Sequence, residues 1–200
     1  MPVMSDIRKK LIGITGGIGT GKSVVSRILR LKSFPVYDCD SRARMLMEDS
    51  ERILESLRCR YGSECILPDG KLNRTLIASK VFTAEEERLW LNSLVHAEVR
   101  KDLELWAKSS PGGICFVESA IMVSSHLDRM CDEIWLVEAP AELRIERALK
   151  RGGISRENLM LRMESQRFEF DMLPEEKVKR ISNDGSLSLL SQITELINCA

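Results

Sequence analysis

Residues 11–25 read LIGITGGIGTGKSVV, a short apolar run followed by four glycines within six positions, then a lysine and a serine. Glycine directly after a buried strand means that the backbone must turn through positive φ or approach something closely. The stretch satisfies G-x-x-x-x-G-K-[ST] with Gly16, Gly21, Lys22 and Ser23. A loop of this kind wraps a phosphate with inward-pointing N–H groups, and the helix that follows adds the positive end of its dipole. The lysine places a charge on the β- and γ-phosphates, and the serine hydroxyl ligates Mg²⁺. The pattern arises by chance in roughly 0.7% of chains this long, taking glycine at about 7%. The required strand before it and helix after it lower that further. The loop therefore predicts a strand–loop–helix unit holding the triphosphate of a nucleotide, with ATP and Mg²⁺ expected.

The rest of the chain supports an α/β fold. Apolar runs at 11–15, 34–38, 114–118, 133–139 and 178–182 read as five strands. The first, third and fourth are apolar on both faces, as a parallel sheet covered by helices requires. Helical patterns cover 22–32 and 41–58. A longer one begins at Ala84, with Thr83 as the expected N-cap and Leu89, Leu91, Leu94, Val95, Val99, Leu103 and Trp106 near helical spacing. About 75 residues separate the second and third strands, far more than one crossover helix needs. The expected organisation is a core of 1–40 and 109–200 with a helical insert at 41–108, which contains a turn at Leu67–Lys71.

Composition narrows the function classes. Lys plus Arg and Asp plus Glu both number 30 in 200 residues, which argues against a nucleic-acid binder working by bulk charge. The six cysteines form no C-x-x-C and, with two histidines, no zinc spacing, so reduced thiols are expected. The charged N-terminal patch leads into too short an apolar run for a signal peptide or membrane span. A cytoplasmic protein without membrane partners is the expectation.

The second strand ends FPVYDCDSRAR, with Asp38 and Asp40 at i and i+2. On an extended strand they share a face and project from the carboxyl end of the sheet, where open α/β sheets bind ligands. One carboxylate can hold a water of a Mg²⁺ shell while the other accepts the proton of an attacking hydroxyl. The alternative is local: Asp40 caps a helix starting at Ser41, and Asp38 bonds a turn amide. No D-x-x-G or N-K-x-D occurs, which argues against a GTPase switch.

ITGGIGTGKS, VYDCDSRAR, YGSECILPDGKLNR followed by VF, LNSLVHAEV, AELRIERALKRGGISRENLMLRMESQ and ISNDG together resemble the dephospho-coenzyme A kinase family, from about residue 11 to about 195. LPDGKLNR followed by VF is far more particular to that family than the phosphate loop. The resemblance implies a P-loop core with a five-stranded parallel sheet, a helical coenzyme-binding insert and an arginine-bearing lid at about 144–168. It implies transfer of the γ-phosphate of ATP to the 3′-hydroxyl of the ribose of dephospho-coenzyme A, the last step of coenzyme A biosynthesis. Gly17, Gly19, Thr20, Gly21, Lys22, Ser23 and Val24 would hold the phosphates, with Asn183 near the adenine. Asp40 would be the base, and Asp38 would lie beside the metal with Ser23. Arg74, His96 and Glu118 would contact the acceptor.

The chain departs from the family pattern at Ala97, where proline usually follows the histidine, at Gly152 after Arg151, and at Ala120 and Ser124. Arg144, Arg147 and Arg151 recur at three- and four-residue spacing, hence on one helix face. They would close over the nucleotide and stabilise the transferring phosphoryl; otherwise the face is solvated helix. The acceptor separates this reading from a nucleoside monophosphate or other small-molecule kinase. The aspartate pair separates it from a nucleotide-dependent binding protein.

Overall fold

The structure is a computed structural model that describes residues 9–200; the first eight residues, with most of the charged N-terminal patch, lie outside the described residues. The chain divides into two compact units. One comprises the residues up to Tyr37 together with Ser109–Ala200, and the other is Asp38–Lys108.

The first unit is built on strands β1 (Lys10–Thr15), β2 (Val36–Asp38), β3 (Ile114–Glu118), β4 (Glu133–Glu138) and β5 (Val178–Ser182). They form a parallel sheet in the order β2-β3-β1-β4-β5. All five predicted strands are present, with the second shortened at its start, where Phe34 and Pro35 precede the ladder. Register brings the strand ends together, with Ile14 opposite Glu118 and Thr15 opposite Leu136. The loop after β1 thus leaves the sheet between its neighbours' carboxyl ends.

One sheet face carries Ile12, Ile14, Phe116, Trp135, Val137 and Ile181, all fully buried. Helices α1 (Lys22–Leu31) and, at the C-terminal end, Leu189–Asn198 cover it with Val25, Leu29 and Ile193. Trp135 lies edge-on to Phe116 with ring centroids 5.0 Å apart, and its indole N–H reaches Glu133 at 2.7 Å. The tryptophan is core, as its apolar setting predicts. On the other face Gly13 makes room for Met122 and Cys131, which would lie 3.0 and 3.1 Å from an added Cβ. All six cysteines are free thiols, and burial pushes Cys131 up to about 12.

The second unit holds α2 (Cys39–Asp49), α3 (Glu51–Tyr61), α4 (Arg74–Thr83) and most of α5 (Glu85–Ser109). The single helix expected over 41–58 is two, because Ser50 leaves helical φ/ψ and caps α3 through the N–H of Ile53. Thr83 is not the cap of the long helix. It ends α4, and its hydroxyl donates back to the carbonyls of Ser79 and Lys80. The turn at Leu67–Lys71 is present, with Gly70 at φ 84° between bridged Ile66 and Leu72. Ile53, Leu57, Cys65, Leu72 and Ile77 form this unit's core, against Leu91, Leu94 and Val95. Leu89, expected on that face, is exposed.

Charged clamps tie these helices together. Buried Glu98 accepts from Ser50 and Arg52, and Asp102 accepts from Arg42 Nη2 at 2.6 Å and Nε at 2.9 Å. Arg60 grips Glu87 with two hydrogen bonds of 2.7 and 2.8 Å and stacks 4.5 Å over Trp90. The Tyr61 hydroxyl donates to the same carboxylate. Burial first, and then that carboxylate, push Tyr61 up to about 12. The Arg60 hydrogen bond, followed by that of Tyr61, holds Glu87 down at about 2.

A carboxylate held below its ordinary 4.5 stabilises the fold fully above that pH, and the contribution is lost as pH falls towards 2. Glu87→Gln should therefore lose melting temperature less steeply than the parent protein between about pH 5 and pH 2. Trp90 emission is a local probe of the same event. Equal slopes in the two proteins would remove Glu87 from the acid response.

Candidate functional site

The loop from Gly16 to Ser23 is fixed by its backbone and by what packs against it. Gly19 has φ 80° and Gly21 φ 101°, in the left-handed region that glycine alone adopts cheaply. A Cβ on Gly19 would collide with the carbonyl of Arg144, and one on Gly21 with the Asn183 amide. Buried Thr20 donates through its hydroxyl to the Gly17 carbonyl at 2.9 Å. Half-buried Lys22 donates to the carbonyls of Gly16 at 2.6 Å and Gly17 at 3.2 Å. Ser23 and Val24 are exposed in the first turn of α1. That turn carries no acidic side chain, so its amides keep their positive potential.

The segment after β4 reaches this loop. It contains α6 (Ala141–Lys150), α7 (Arg156–Ser165) and α8 (Arg167–Asp171). Arg144 donates through Nε to the Ile18 carbonyl at 2.9 Å, and Arg147 donates to the Asn183 carbonyl at 3.0 Å. Arg151 is exposed at the C-cap of α6. Asn183 follows β5, and its side-chain amide donates to the Thr20 carbonyl at 2.7 Å. Half-buried Glu118 ends β3.

Two anchors escaped the sequence reading. Gln166 accepts from the Ile18 N–H at 3.0 Å. Buried Glu169 accepts from the N–H groups of Val123 and Ser124, at 2.8 Å from Val123. Gln166 closes the family-like stretch that ends RMESQ, but nothing local there points to its partner on the loop. No local pattern marks Glu169 either, since Phe168 beside it is exposed and adjacent helix residues point different ways.

In the second unit the aspartates are arranged differently from expectation. They do not share a strand face. Asp38 ends β2, and Asp40 lies in the first turn of α2. The helix cap is Asp38, which takes the Ser41 N–H at 3.1 Å and the Ser41 hydroxyl at 3.0 Å. Asp40 is exposed. Two residues suffice to change strand into helix because the Asp38 carboxylate closes the turn itself. Arg74 opens α4 and pairs with Glu48. With Arg44 it borders an open pocket of about 380 Å³ lined by Met47, Ile77, Val81 and Phe82. His96 is half-buried on α5.

Whether these residues suit a nucleotide can be tested on the first unit. Arg144 Nη2 and Thr15 Oγ1 are buried without partners beside the loop, and burial lowers the Arg144 pKa. At Gly17 and Gly19 the space a Cβ would take is already filled by Arg144, whose guanidinium lies against the loop. A concave backbone with an unpaired guanidinium N–H and a neighbouring lysine suits an oxyanion. Among the described residues no group of three or more His, Cys, Asp or Glu is arranged to hold a metal. Magnesium commonly takes one or two protein oxygens and completes its shell with phosphates and water, which the exposed Ser23 hydroxyl suits.

The chain matches the dephospho-CoA kinase family over residues 10–188. A dephospho-CoA kinase of Porphyromonas gingivalis is 38% identical over 186 residues, covering 93% of this chain and 92% of that one. One from Bacteroides fragilis is 39% identical over 191 residues, covering 93% and 90%. Among solved structures, a Thermus thermophilus protein superposes with TM-score 0.78 at 30% identity, covering 96% and 97%. The shikimate kinase of Acinetobacter baumannii, with TM-score 0.51 at 12% identity and coverage of 96% and 92%, shares the fold.

The crowding at Gly19 gives a direct test. Gly70 has nearly the same φ, 84°, but nothing lies within 4 Å of an added Cβ. Gly70→Ala should lose only the conformational term, about 1–2 kcal/mol. Gly19→Ala should lose more stability than that and weaken ATP binding at least tenfold, because the loop must move away from Arg144. Thermal melts and calorimetric titration of both variants check this. Equal behaviour would show that the loop tolerates a side chain there.

Proposed function

The chain belongs to the dephospho-coenzyme A kinase family, and from that premise we propose how its residues carry out ATP-dependent phosphorylation of the 3′-hydroxyl of dephospho-coenzyme A. The observation that carries the reading is the glycine loop at the carboxyl end of the sheet, within a family match that spans both units. A nucleoside monophosphate kinase or a nucleotide-dependent binder is not favoured.

Transfer of a phosphoryl group needs positioning and charge more than covalent chemistry. Gly17 and the residues from Gly19 to Val24 hold the phosphates. Lys22 leaves the loop carbonyls it now contacts for the more favourable charge of a phosphate oxygen. Arg147 and Arg151 balance charge spread on the transferring group. Mg²⁺, held through Ser23 with Asp38 beside it, supplies neutralisation of the β- and γ-oxygens when bound. Asp40 accepts the proton of the ribose hydroxyl as the bond to phosphorus forms. Asn183, already fixed to the Thr20 carbonyl, serves the nucleotide end.

The acceptor is the business of the second unit. The pocket bordered by Arg44 and Arg74 offers two cations over an apolar floor, the combination suited to an anionic, partly apolar molecule such as dephospho-coenzyme A. His96 is the further contact. The partners are small molecules. No helix among the described residues is long and apolar enough to cross a membrane.

Turnover of ATP against dephospho-coenzyme A and a panel of nucleoside monophosphates tests the assignment. Phosphorylation of the monophosphates in preference to dephospho-coenzyme A would overturn it. Lys22→Ala should abolish transfer in a folded protein. Asp40→Asn should lower turnover by about 10²–10⁴-fold with unchanged melting temperature. Asp38→Ala should instead lose about 1 kcal/mol of stability, because Asp38 is the cap. Arg74→Ala should raise the KM for dephospho-coenzyme A and leave that for ATP alone. A fully active Asp40→Asn enzyme would remove Asp40 from the chemistry.

A further inference from the structure

Ile18 is held three ways by the segment 144–166. Its carbonyl accepts from Arg144 Nε at 2.9 Å, and its N–H donates to Gln166 at 3.0 Å. Its side chain packs with Ile145, Ala148 and Leu159. Both peptide planes that flank Ile18 are therefore fixed from outside the loop. In a trans peptide the carbonyl of one residue and the N–H of the next point in opposite directions, and no described peptide is cis. Drawing the Ile18 carbonyl towards Arg144 thus turns the Gly19 N–H away from it. The Gly17 carbonyl, opposed to the Ile18 N–H in the same way, is the one that Thr20 and Lys22 take up.

Arg144 has a second property. Its Nη2 is buried, has no hydrogen-bond partner and lies so close to Gly17 that a Cβ there would collide with it. Among the described residues no carboxylate pairs with this guanidinium, whereas Arg42, Arg52, Arg60, Arg74 and Arg180 each have one. A desolvated cation without a counter-charge is costly to hold, and an anion arriving nearby relieves that cost.

We propose that Arg144 is a positioning residue of the nucleotide loop: it aims the Gly19 N–H through the Ile18 carbonyl, and its partly buried charge, with Nη2 unpaired, raises the loop's affinity for the polyphosphate of a nucleotide. This deepens the reading of the loop as the ATP site and rests on it. The effect is on nucleotide affinity and not on the acceptor.

The test is calorimetric titration of the nucleotide-free protein with Mg-ATP and Mg-ADP, acceptor omitted, for the parent, Arg144→Met and Arg144→Lys. Methionine keeps the bulk and removes donor and charge. Its Kd for ATP should rise by about tenfold or more, as for loss of a charge-assisted contact, and the KM for ATP should rise by the same factor. Lysine keeps the charge and one donor and should recover most of the affinity. Melting temperature without nucleotide should be equal or higher in the methionine variant, since the partly buried charge is gone. The Kd for dephospho-coenzyme A alone should be unchanged.

A parent-like Kd for ATP in Arg144→Met would overturn the proposal. So would an affinity loss that tracks a fall in melting temperature and is not restored by lysine, which is what mere packing produces. If the methionine variant does not fold, Arg144→Gln, uncharged but polar, is compared with lysine in the same way, and equal affinities in that pair would overturn the role of the charge. A parent protein that binds ATP but does not phosphorylate dephospho-coenzyme A would sink the proposed function and leave this inference standing.

Discussion

Everything at the nucleotide end of this molecule follows from one steric constraint. Between Thr15 and Lys22 the chain must reverse from strand to helix while other backbone presses on it from outside. Gly16 would drive a Cβ into the Val137 carbonyl, Gly19 into that of Arg144 and Gly21 into the Asn183 amide. The glycines are required by contacts made within β4, in α6 and after β5, more than a hundred residues away in sequence. The loop is a joint surface of β1, α6 and the β5 end, and a change in any of them is felt in the loop's amides.

That joint surface explains why parts of the site were legible in the sequence and parts were not. The five strands and α1 could be read because their information is local: apolar runs of the right length, and a glycine motif that only one geometry satisfies. Side chains that act on the loop at a distance carry no such mark. Gln166 follows a helix whose side chains are mostly exposed, and its partner is 148 positions away. Arg144 stood out only as one of three arginines on a helix face, and nothing in its spacing distinguished a partly buried guanidinium from the exposed Arg151. Boundaries failed for a different reason. Ser50 and Thr83 are both hydroxyl residues beside helices, and either can cap or bond back to its own helix. The structure uses Ser50 in the first way and Thr83 in the second, and tertiary packing decides which.

The second unit achieves its order differently. Its apolar core is small, so buried and half-buried ion pairs carry more of the specification. Glu98 with Ser50 and Arg52, Asp102 with Arg42, and Glu87 with Arg60 and Tyr61 each join α5 to an earlier helix. Such pairs contribute less to net stability than equal apolar packing would, but they penalise every other helix register, since a shifted helix would leave a half-buried charge unpaired.

The aspartate pair shows how one local turn divides two chemically identical groups. Both oxygens of Asp38 are engaged by Ser41, one with the N–H and one with the hydroxyl. A carboxylate so held has a fixed orientation, because both of its oxygens are taken up by one neighbouring residue. Asp40, two residues on, has helical backbone and an exposed side chain with no hydrogen bond among the described residues. A proton acceptor needs an uncommitted lone pair at the moment of transfer, and an exposed carboxylate in the first turn of a helix has one. Had both residues stayed on the strand they would have been equivalent neighbours in mutual repulsion. Ending the strand at Asp38 commits the first carboxylate to the helix and leaves the second exposed and uncommitted.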